Sequence, residues 1–411
     1  MGVSRRGIQL LFDGYNNLVN RKSVYLIIGL CLILLLGGVF LVERVSASNG
    51  TDTPYYNLPL CLPGFYDHTP TKCLPLGASE SVSQIRAMGI PYPQKELPAA
   101  SPNIELTALP VRVARVELNS AEPLPVYASL DDARAEGTPS RTIPAGESRY
   151  VAIIDQVEVD GKSFVRLESG GWVQAKPIYT WIRFQGLVFS HTPENDFGWA
   201  VDEAEIYAAP GYNSPKTGKS VPKYELIQIY QVAQADGYEW YLIGPNAWVS
   251  SHKTRRVIVD TTKPEGVTGD RWIKIDLANF TLSAYEDGEL VFATLVSTGL
   301  PPMYTRPGLF QIYERYEASP MFGATRADRS DYYYLEAVPW TMYYDDTRAI
   351  HGVYWPIMLG YNQSHGCVNL APGDANWLYA WAELGDWVYV VDPSGETPTD
   401  PAYYLGVTAG P

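Results

Sequence analysis

Three side chains near the end of the chain are of types that could carry out nucleophilic chemistry. Cys367 follows His351 by sixteen residues and His365 by two, and Gly366 stands directly before it. A thiol becomes a strong nucleophile when a neighbouring imidazolium or backbone N–H groups lower its pKa, and a glycine-containing turn can expose both. We therefore expect a covalent, cysteine-based reaction here, with the N–H groups of Gly366 and Cys367 placed to bind an acyl oxyanion.

The same residues also allow two other interpretations. A cysteine beside glycine is commonly a small core residue. Two histidines and a cysteine could bind zinc, for which the Asp345-Asp346 pair is the nearby acidic candidate. The residue types leave these alternatives open but favour the nucleophile, so we predict no metal site and no cofactor.

The other cysteines differ in context from Cys367. The chain has four, and Cys31 lies inside an apolar run. Cys61 and Cys73 flank a short proline-rich loop, so a local disulfide between them is the expected pairing in an oxidising compartment. Cys367 would then remain unpaired, and an odd external thiol is either incidental or reactive.

The elements that must position this motif are predicted to be strands. From about residue 270, runs of apolar and β-branched residues alternate with turn residues, and a hairpin is expected about Asp287-Gly288. Asp374 is predicted to cap a helix through residues 375–384 that Gly385 ends. Residues 268–393 are therefore predicted to form a mainly β catalytic domain, and the tail 394–411 is predicted to be disordered.

An internal repeat precedes that domain. Three landmarks recur at offsets of 80, 76 and 76 residues: Val126-Tyr127-Ala128 as Ile206-Tyr207-Ala208, Asp160-Gly161 as Asp236-Gly237, and Gly171-Trp172-Val173 as Ala247-Trp248-Val249. Such agreement is hard to obtain by chance. We predict two small β modules, residues 109–180 and 181–262, whose Trp and Tyr side chains belong mainly to their cores.

The N-terminal part predicts a membrane anchor. Residues 24–42 form an uncharged apolar run of nineteen residues, long enough for a helix to cross a bilayer. Residues 1–23 are basic and should stay cytoplasmic, so the rest would face outward in a single-pass topology at the cell membrane. A cleaved signal peptide is the alternative. Residues 43–108 are proline-rich and are predicted to be an extended extracytoplasmic stalk.

Length and composition agree with this organisation. The 411 residues exceed one ordinary domain, and 13% aromatic residues beside 35 Gly and 32 Pro are typical of short strands joined by turns. The formal net charge of −14 argues against a nucleic-acid partner.

The motif around Cys367 resembles a known family signature. His351-Gly352 followed by Ser364-His365-Gly366-Cys367-Val368-Asn369 is similar to the signature of L,D-transpeptidases of the YkuD type, and the resemblance extends over about residues 270–393. It implies a β-sandwich-like fold whose cysteine attacks the L,D bond of a peptidoglycan stem tetrapeptide, releases D-Ala and transfers the acyl group to an acceptor amine. The two repeats resemble bacterial SH3-like cell-wall modules, which implies cell-wall glycan as a candidate ligand.

The resemblance also implies roles for individual residues. His351 matches the family base, the Gly352 carbonyl matches the group that orients its imidazole, and His365 matches the histidine that would shape the nucleophile turn. Candidate substrate-binding residues flank the motif or the cleft: Ser364, Asn369, Arg348, Trp340, Tyr343 and Tyr354. A solvated surface position is the alternative for Arg348, and core packing is the alternative for the three aromatic residues.

Two other functions stay open. An L,D-carboxypeptidase would form the same acyl-enzyme and release it to water, depending on whether the cleft excludes water. A non-catalytic wall-binding scaffold would use the repeats alone, which the intact Cys and His pair disfavours. The sequence favours the transpeptidase.

Overall fold

The computed structural model describes residues 78–116, 121–178, 184–324, 329 and 331–404. The predicted membrane span 24–42 and the candidate disulfide between Cys61 and Cys73 lie outside these residues. No helix within the described ranges is long and apolar enough to cross a membrane. The chain divides into two units between Ser83 and Gln84, and the fold below concerns the second.

The described chain is mainly β, as predicted. The helices are α1 Ala78–Ala87, α2 Leu130–Ala135 and α3 Pro372–Trp381, with 3-10 turns at Ile104–Thr107 and Pro401–Tyr404. The strands that precede the catalytic domain are β1 Ala99–Ala100, β2 Arg112–Arg115, β3 Leu124–Val126, β4 Arg141–Ile143, β5 Ser148–Val159, β6 Lys162–Leu167, β7 Trp172–Gln174, β8 Lys176–Ile178, β9 Leu187–Phe189, β10 Asp196–Ala200, β11 Ala204–Tyr207, β12 Lys216–Val221, β13 Leu226–Ile229, β14 Gln231–Ala235, β15 Tyr238–Gly244, β16 Ala247–Ser250 and β17 Thr254–Val257. Those of the catalytic domain are β18 Arg271–Asp276, β19 Thr281–Glu286, β20 Glu289–Leu295, β21 Thr298–Gly299, β22 Gly308–Gln311, β23 Glu314–Gly323, β24 Tyr333–Asp345, β25 Arg348–Gly352, β26 Asn362–Ser364, β27 Val368–Leu370 and β28 Trp387–Val391.

The two β modules repeat the same strand pairing. Hairpins β5–β6 and β14–β15 turn at Asp160-Gly161 and Asp236-Gly237, where all four residues have the positive φ of a type I′ turn. The next pairings, β6–β7 and β15–β16, correspond at an offset of 76 residues. The equivalent cross-strand pairs are Phe164–Gln174 with Trp240–Ser250, Val165–Val173 with Tyr241–Val249, and Arg166–Trp172 with Leu242–Trp248. The internal repeat is confirmed in its strand register, while the likeness to SH3 modules stays a prediction.

The aromatic landmarks of the repeat lie in or beside the module cores. Tyr127 bridges to Trp172, and Tyr207 pairs in the same way with Trp248. Tyr127, Tyr207 and Trp248 are buried, whereas Trp172 is partly exposed. Burial of large aromatic surface stabilises such small modules, so packing accounts for these residues without a ligand.

Two sheets enclose the core of the predicted catalytic domain, residues 268–393. One has the order β1-β9-β20-β19-β18-β28-β22, and the other contains β27-β25-β24-β5-β2-β8 with β23 on β24. Apolar side chains of both sheets and of α3 form one buried cluster that includes Ile273, Ile275, Leu282, Met342, Ile350, Val368 and Leu378. This burial stabilises the sandwich. The hairpin predicted about Asp287-Gly288 is confirmed as β19–β20.

Helix α3 corrects the predicted helix. It runs from Pro372 to Trp381, with Ala371 as its N-cap, so the predicted cap Asp374 lies inside the first turn. Proline suits a first turn because its missing N–H would have no helical partner. The Asp374 carboxyl is buried and accepts hydrogen bonds from the amide of Gly186 and the hydroxyl of Thr294. Gly385 does not end the helix, which stops four residues earlier.

Parts of the predicted stalk and tail pack on the catalytic domain. β1 pairs with β9, and the side-chain amide of Asn376 in α3 donates to the Leu106 carbonyl at 3.0 Å. In the tail, the turn Pro401–Tyr404 buries Tyr404. These contacts differ from the extended stalk 43–108 and the disordered tail 394–411 that composition suggested, because composition does not report strand pairing or a single buried tyrosine.

Candidate active site

Cys367 lies in the turn that joins β26 to β27. Gly366 has a φ of 110°, a conformation that L side chains rarely adopt, and a Cβ there would approach Arg348 Nε at 3.2 Å. The hydroxyl of Ser364 donates to the Cys367 carbonyl at 2.5 Å and accepts from the Gly366 amide at 3.1 Å. Ser364 therefore stabilises the turn through two hydrogen bonds to its backbone.

The oxyanion donors correspond only in part to the prediction. Because the Gly366 N–H is bonded to the Ser364 hydroxyl, it does not point to a substrate, and its predicted role is wrong. The Cys367 amide remains as the candidate of the two. The Gly366 carbonyl is also held, since it accepts from the Thr305 hydroxyl at 2.9 Å.

His351 lies on β25, next to the strand that follows the nucleophile. β25 and β27 pair in parallel, with His351 opposite Asn369. The Nδ1 of His351 is 3.0 Å from the Gly352 carbonyl oxygen. A carbonyl can only accept, so Nδ1 carries the proton and Nε2 keeps the lone pair that a base needs. The orienting contact expected of Gly352 is therefore present.

Burial sets the protonation states of the pair. His351 is only 2% exposed, and burial lowers the pKa of its imidazole to about 4, although the hydrogen bond to Gly352 opposes this. Burial raises the pKa of the Cys367 thiol above its ordinary value, against the opposing effects of the Ala349 amide and the Arg348 charge. At neutral pH both groups are uncharged at rest, so the expected imidazolium does not activate a preformed thiolate.

Two cavities meet at Cys367. The first, of about 420 Å³, is lined by Cys367, His351, His365 and Asn369. The second, of about 480 Å³, is lined by Cys367, Tyr343, Glu314 and Asp346. We refer to them as the histidine cavity and the tyrosine cavity. The thiol is thus accessible from two directions.

His365 lines the histidine cavity at an exposed position. Its ring stacks on Tyr333, with 4.9 Å between ring centroids and 25° between ring planes. The residue is exposed, yet the protein around it partly desolvates the ring and thereby lowers its pKa. This placement fits a residue that shapes the nucleophile turn.

A buried charge network lies behind the turn. Arg348 is 4% exposed and donates to the Tyr304 carbonyl at 3.1 Å and to the Asp345 carboxylate at 3.1 Å. Arg306 binds the same carboxylate, and the Arg348 guanidinium lies 5.0 Å from the ring centroid of Tyr404. Arg348 lines neither cavity, so this placement gives no support to direct substrate binding, and the surface alternative is wrong.

The acidic pair that a zinc site would need is used elsewhere. Asp345 is bonded to the two arginines, and Asp346 faces the tyrosine cavity. Among the described residues, no group of three or more His, Cys, Asp and Glu is arranged to hold a metal ion.

A family model of the YkuD L,D-transpeptidase catalytic domain matches residues 270–390. Over these residues the chain is similar to an L,D-transpeptidase catalytic domain. The resemblance inferred from the motif is confirmed over these residues, and both His351 and Cys367 fall within the match.

Known proteins that are similar to this chain include L,D-transpeptidases. L,D-transpeptidase 1 of Mycobacterium tuberculosis is 29% identical over 170 residues, a match that covers 38% of this chain and 66% of that protein, slightly under two thirds. The solved catalytic domain of the E. faecium L,D-transpeptidase is 30% identical and covers 31% of this chain and all of that one, with a TM-score of 0.27. The L,D-transpeptidase of Stackebrandtia nassauensis is 27% identical over 33% of this chain and 61% of that one, with a TM-score of 0.26. The family model and the mycobacterial relative support an enzyme of this type.

The remaining predicted residues of the transpeptidase domain separate into two groups. Ser364 and Asn369 line the histidine cavity, and Tyr343 lines the tyrosine cavity. Trp340 and Tyr354 are buried in apolar clusters and line neither cavity, which confirms core packing, the alternative stated for them.

Several cavity residues were missed from the sequence. Tyr333, Asn362 and Gln363 line the histidine cavity, and Ser148 of the first β module does so as well. Tyr333 could have been suspected because it lies in an aromatic run, but Ser148 carries no sequence signal, since it lies in another module.

Proposed function

We propose that the chain is a peptidoglycan L,D-transpeptidase that uses Cys367 as its nucleophile and His351 as its base. The observation that carries this proposal is the position of Cys367 between two cavities, with the base on one side. An acyl transfer needs a site for a donor and a separate approach for an acceptor, and both must reach the same sulfur.

In the first half-reaction the donor stem tetrapeptide occupies the histidine cavity. As the sulfur attacks the carbonyl carbon of the L,D bond, the thiol proton passes to His351 Nε2, whose orientation follows from the Nδ1 contact with Gly352. The Cys367 amide is the candidate donor to the oxyanion. The C–N bond then breaks, the proton moves from His351 to the leaving amine, and D-Ala departs from a thioester on Cys367.

In the second half-reaction an acceptor amine reaches the thioester from the tyrosine cavity. An acceptor that arrives as an ammonium ion first loses one proton to water, because only the neutral nitrogen has a lone pair. That nitrogen then forms the new amide bond as the C–S bond of the thioester breaks, the second proton passes through His351 to the departing sulfur, and the thiol is restored. Glu314 and Asp346 on the cavity wall can attract the positive charge of a stem-peptide amine. A cavity of about 480 Å³ has room for the side chain that carries the acceptor amine, as transfer requires.

Mass analysis of products formed by the external part of the chain from a tetrapeptide-bearing muropeptide tests the proposal. Cross-linked dimers and free D-Ala support the transpeptidase, whereas trimmed tripeptides without dimers would indicate the carboxypeptidase. Absence of both products together with glycan binding would indicate a wall-binding scaffold.

We propose that this reaction takes place outside the cytoplasmic membrane, at the cell wall. The support is the sequence of residues 24–42, which is apolar and follows a basic segment. Glycan binding by the two β modules belongs to the same proposal. Protease added to spheroplasts should remove the C-terminal region, and a protected C-terminus would contradict the topology.

A further inference from the structure

The first β module shares a sheet with the catalytic domain beside the histidine cavity. β24 pairs in parallel with β5, so that Tyr333 is opposite Ser148 and Leu335 is opposite Tyr150. Directly paired residues project from the same face of a sheet. Ser148, Tyr333 and Leu335 accordingly all line the histidine cavity.

Polar contacts hold the two strands in this register. The Glu336 carboxyl on β24 is almost fully buried and accepts hydrogen bonds from the Ala152 amide and the Tyr334 hydroxyl, each at 2.8 Å. At the other end, the Glu147 amide donates to the Tyr332 carbonyl at 3.0 Å. β24 is therefore fixed to the first module on both sides of Tyr333.

The approach of the two chains is close at one glycine. A Cβ at position 146 would lie 2.2 Å from the Tyr332 carbonyl oxygen, a distance that backbone atoms cannot accommodate without a shift. Tyr333 follows Tyr332 directly in the chain, and its ring stacks on His365. A shift of the first module would therefore also move these two residues of the cavity wall.

We propose that the first β module forms one wall of the donor site and that Ser148 is a specificity-determining residue there. This inference rests on the proposed function. Ser148 is exposed, belongs to a regular strand and is small, so it leaves room in a cavity of about 420 Å³ that a larger side chain would occupy. No Asp, Glu, Lys or Arg among the described residues lines this cavity, so the wall selects an uncharged part of the donor by shape and hydrogen bonding.

The test compares Ser148→Trp with Thr138→Trp in the full-length protein. Thr138 is exposed on the same module and lines neither cavity, so it is the matched control. Intact mass follows acylation of Cys367 by a tetrapeptide donor, and alkylation of Cys367 by iodoacetamide reports the thiol alone. S148W should lower the rate of donor acylation by roughly tenfold or more, because a displaced donor loses attack geometry. Alkylation should change less than about twofold, since it needs no donor site.

A smaller substitution keeps the test decisive if S148W does not fold. Ser148→Asn should show a weaker loss of donor acylation in the same direction, again without loss of alkylation. Parental acylation in a folded Ser148 variant would overturn the proposal, and so would equal losses of acylation and alkylation. If the parent itself forms no donor adduct although its thiol alkylates, the proposed function fails instead.

Discussion

The two cavities that meet at Cys367 have similar volumes and different chemistry. The histidine cavity carries His351 and His365, and its wall among the described residues has no carboxyl group. The tyrosine cavity carries Glu314 and Asp346, and its wall among the described residues has no histidine. Proton transfer is thus available on one side of the sulfur, and attraction of a cationic amine is available on the other.

This difference indicates how one cysteine can serve two substrates in order. Both half-reactions need the sulfur and the base, whereas only the second needs the carboxyl groups of the tyrosine cavity. Substitutions on the two sides should therefore change different steps, and this separation can be measured.

The largest effect is expected from Cys367→Ala. The thiol belongs to both cavities, so its loss should abolish acyl-enzyme formation and all later transfer. Intact mass after incubation with a donor should show no adduct on the variant. A donor-derived adduct on C367A would contradict the mechanism itself.

His351→Ala should act on both half-reactions through the histidine cavity. Loss of the base should slow acylation by about a hundred- to ten-thousandfold, with residual activity that rises with pH as the thiol ionises unaided. Because burial raises the pKa of the thiol, that rise should continue above the ordinary thiol range. His365→Ala is the matched control, and a pH-rescuable loss in H365A but not in H351A would show that the base is misassigned.

The pH profile of the parent provides a separate check on His351. The base must be neutral, and its pKa is lowered to about 4 by burial. Donor acylation should therefore stay nearly constant from pH 7 to about pH 5 and fall as the pH approaches 4, well below the ordinary histidine pKa of about 6.5. A decline centred near pH 6.5 in acylation rates would show that His351 is more solvated than the structure indicates.

Glu314→Gln should affect only the second half-reaction. Loss of a charge on an open wall should slow aminolysis of the preformed acyl-enzyme by roughly two- to fivefold and leave acylation unchanged. Glu317→Gln is the matched control, since Glu317 is exposed on the same strand but does not line the cavity. Equal effects of E314Q on acylation and aminolysis would remove the proposed distinction between the cavities.

The sequence was sufficient to select Cys367 and His351 as the candidate nucleophile and base, because both belong to one short motif. It placed Ser364 and Asn369 near the cleft for the same reason, and Tyr343, which precedes the motif, lines the tyrosine cavity. It could not place Arg348, whose burial depends on a carboxylate at Asp345 and a second arginine at Arg306. The protonation states of His351 and Cys367 could not be predicted from the sequence either, since they depend on desolvation in the folded protein.

Local sequence patterns were enough to predict the strands, but they were not enough to predict the contacts between modules. The Asp-Gly hairpins and the repeat follow from local turn chemistry. The pairing of β24 with β5 joins segments about 185 residues apart, and no local pattern records such a partner. Helix α3 was misplaced because Asp374 has the residue type of a cap, whereas its carboxyl binds Gly186 across the fold.

Asp374→Asn should separate the stability of the domain from the titration of His351. The Asp374 carboxyl is buried, and desolvation raises its pKa to about 7, against the opposing hydrogen bonds from Thr294 and Gly186. In the unfolded chain the pKa of an aspartate is near 4, so between about pH 4 and 7 the folded state binds one more proton than the unfolded state. The protonated carboxyl therefore stabilises the folded state fully below about pH 4, and this contribution is lost as the pH rises through 7. The free energy of unfolding of the parent relative to D374N should therefore decrease across this range, by at most about 4 kcal/mol, and stay constant above it. Urea unfolding of both proteins at several pH values measures the difference.

D374N should keep the parental acylation profile, because Asp374 lines neither cavity. A parallel pH dependence of stability in the two proteins would show that Asp374 does not titrate in this range.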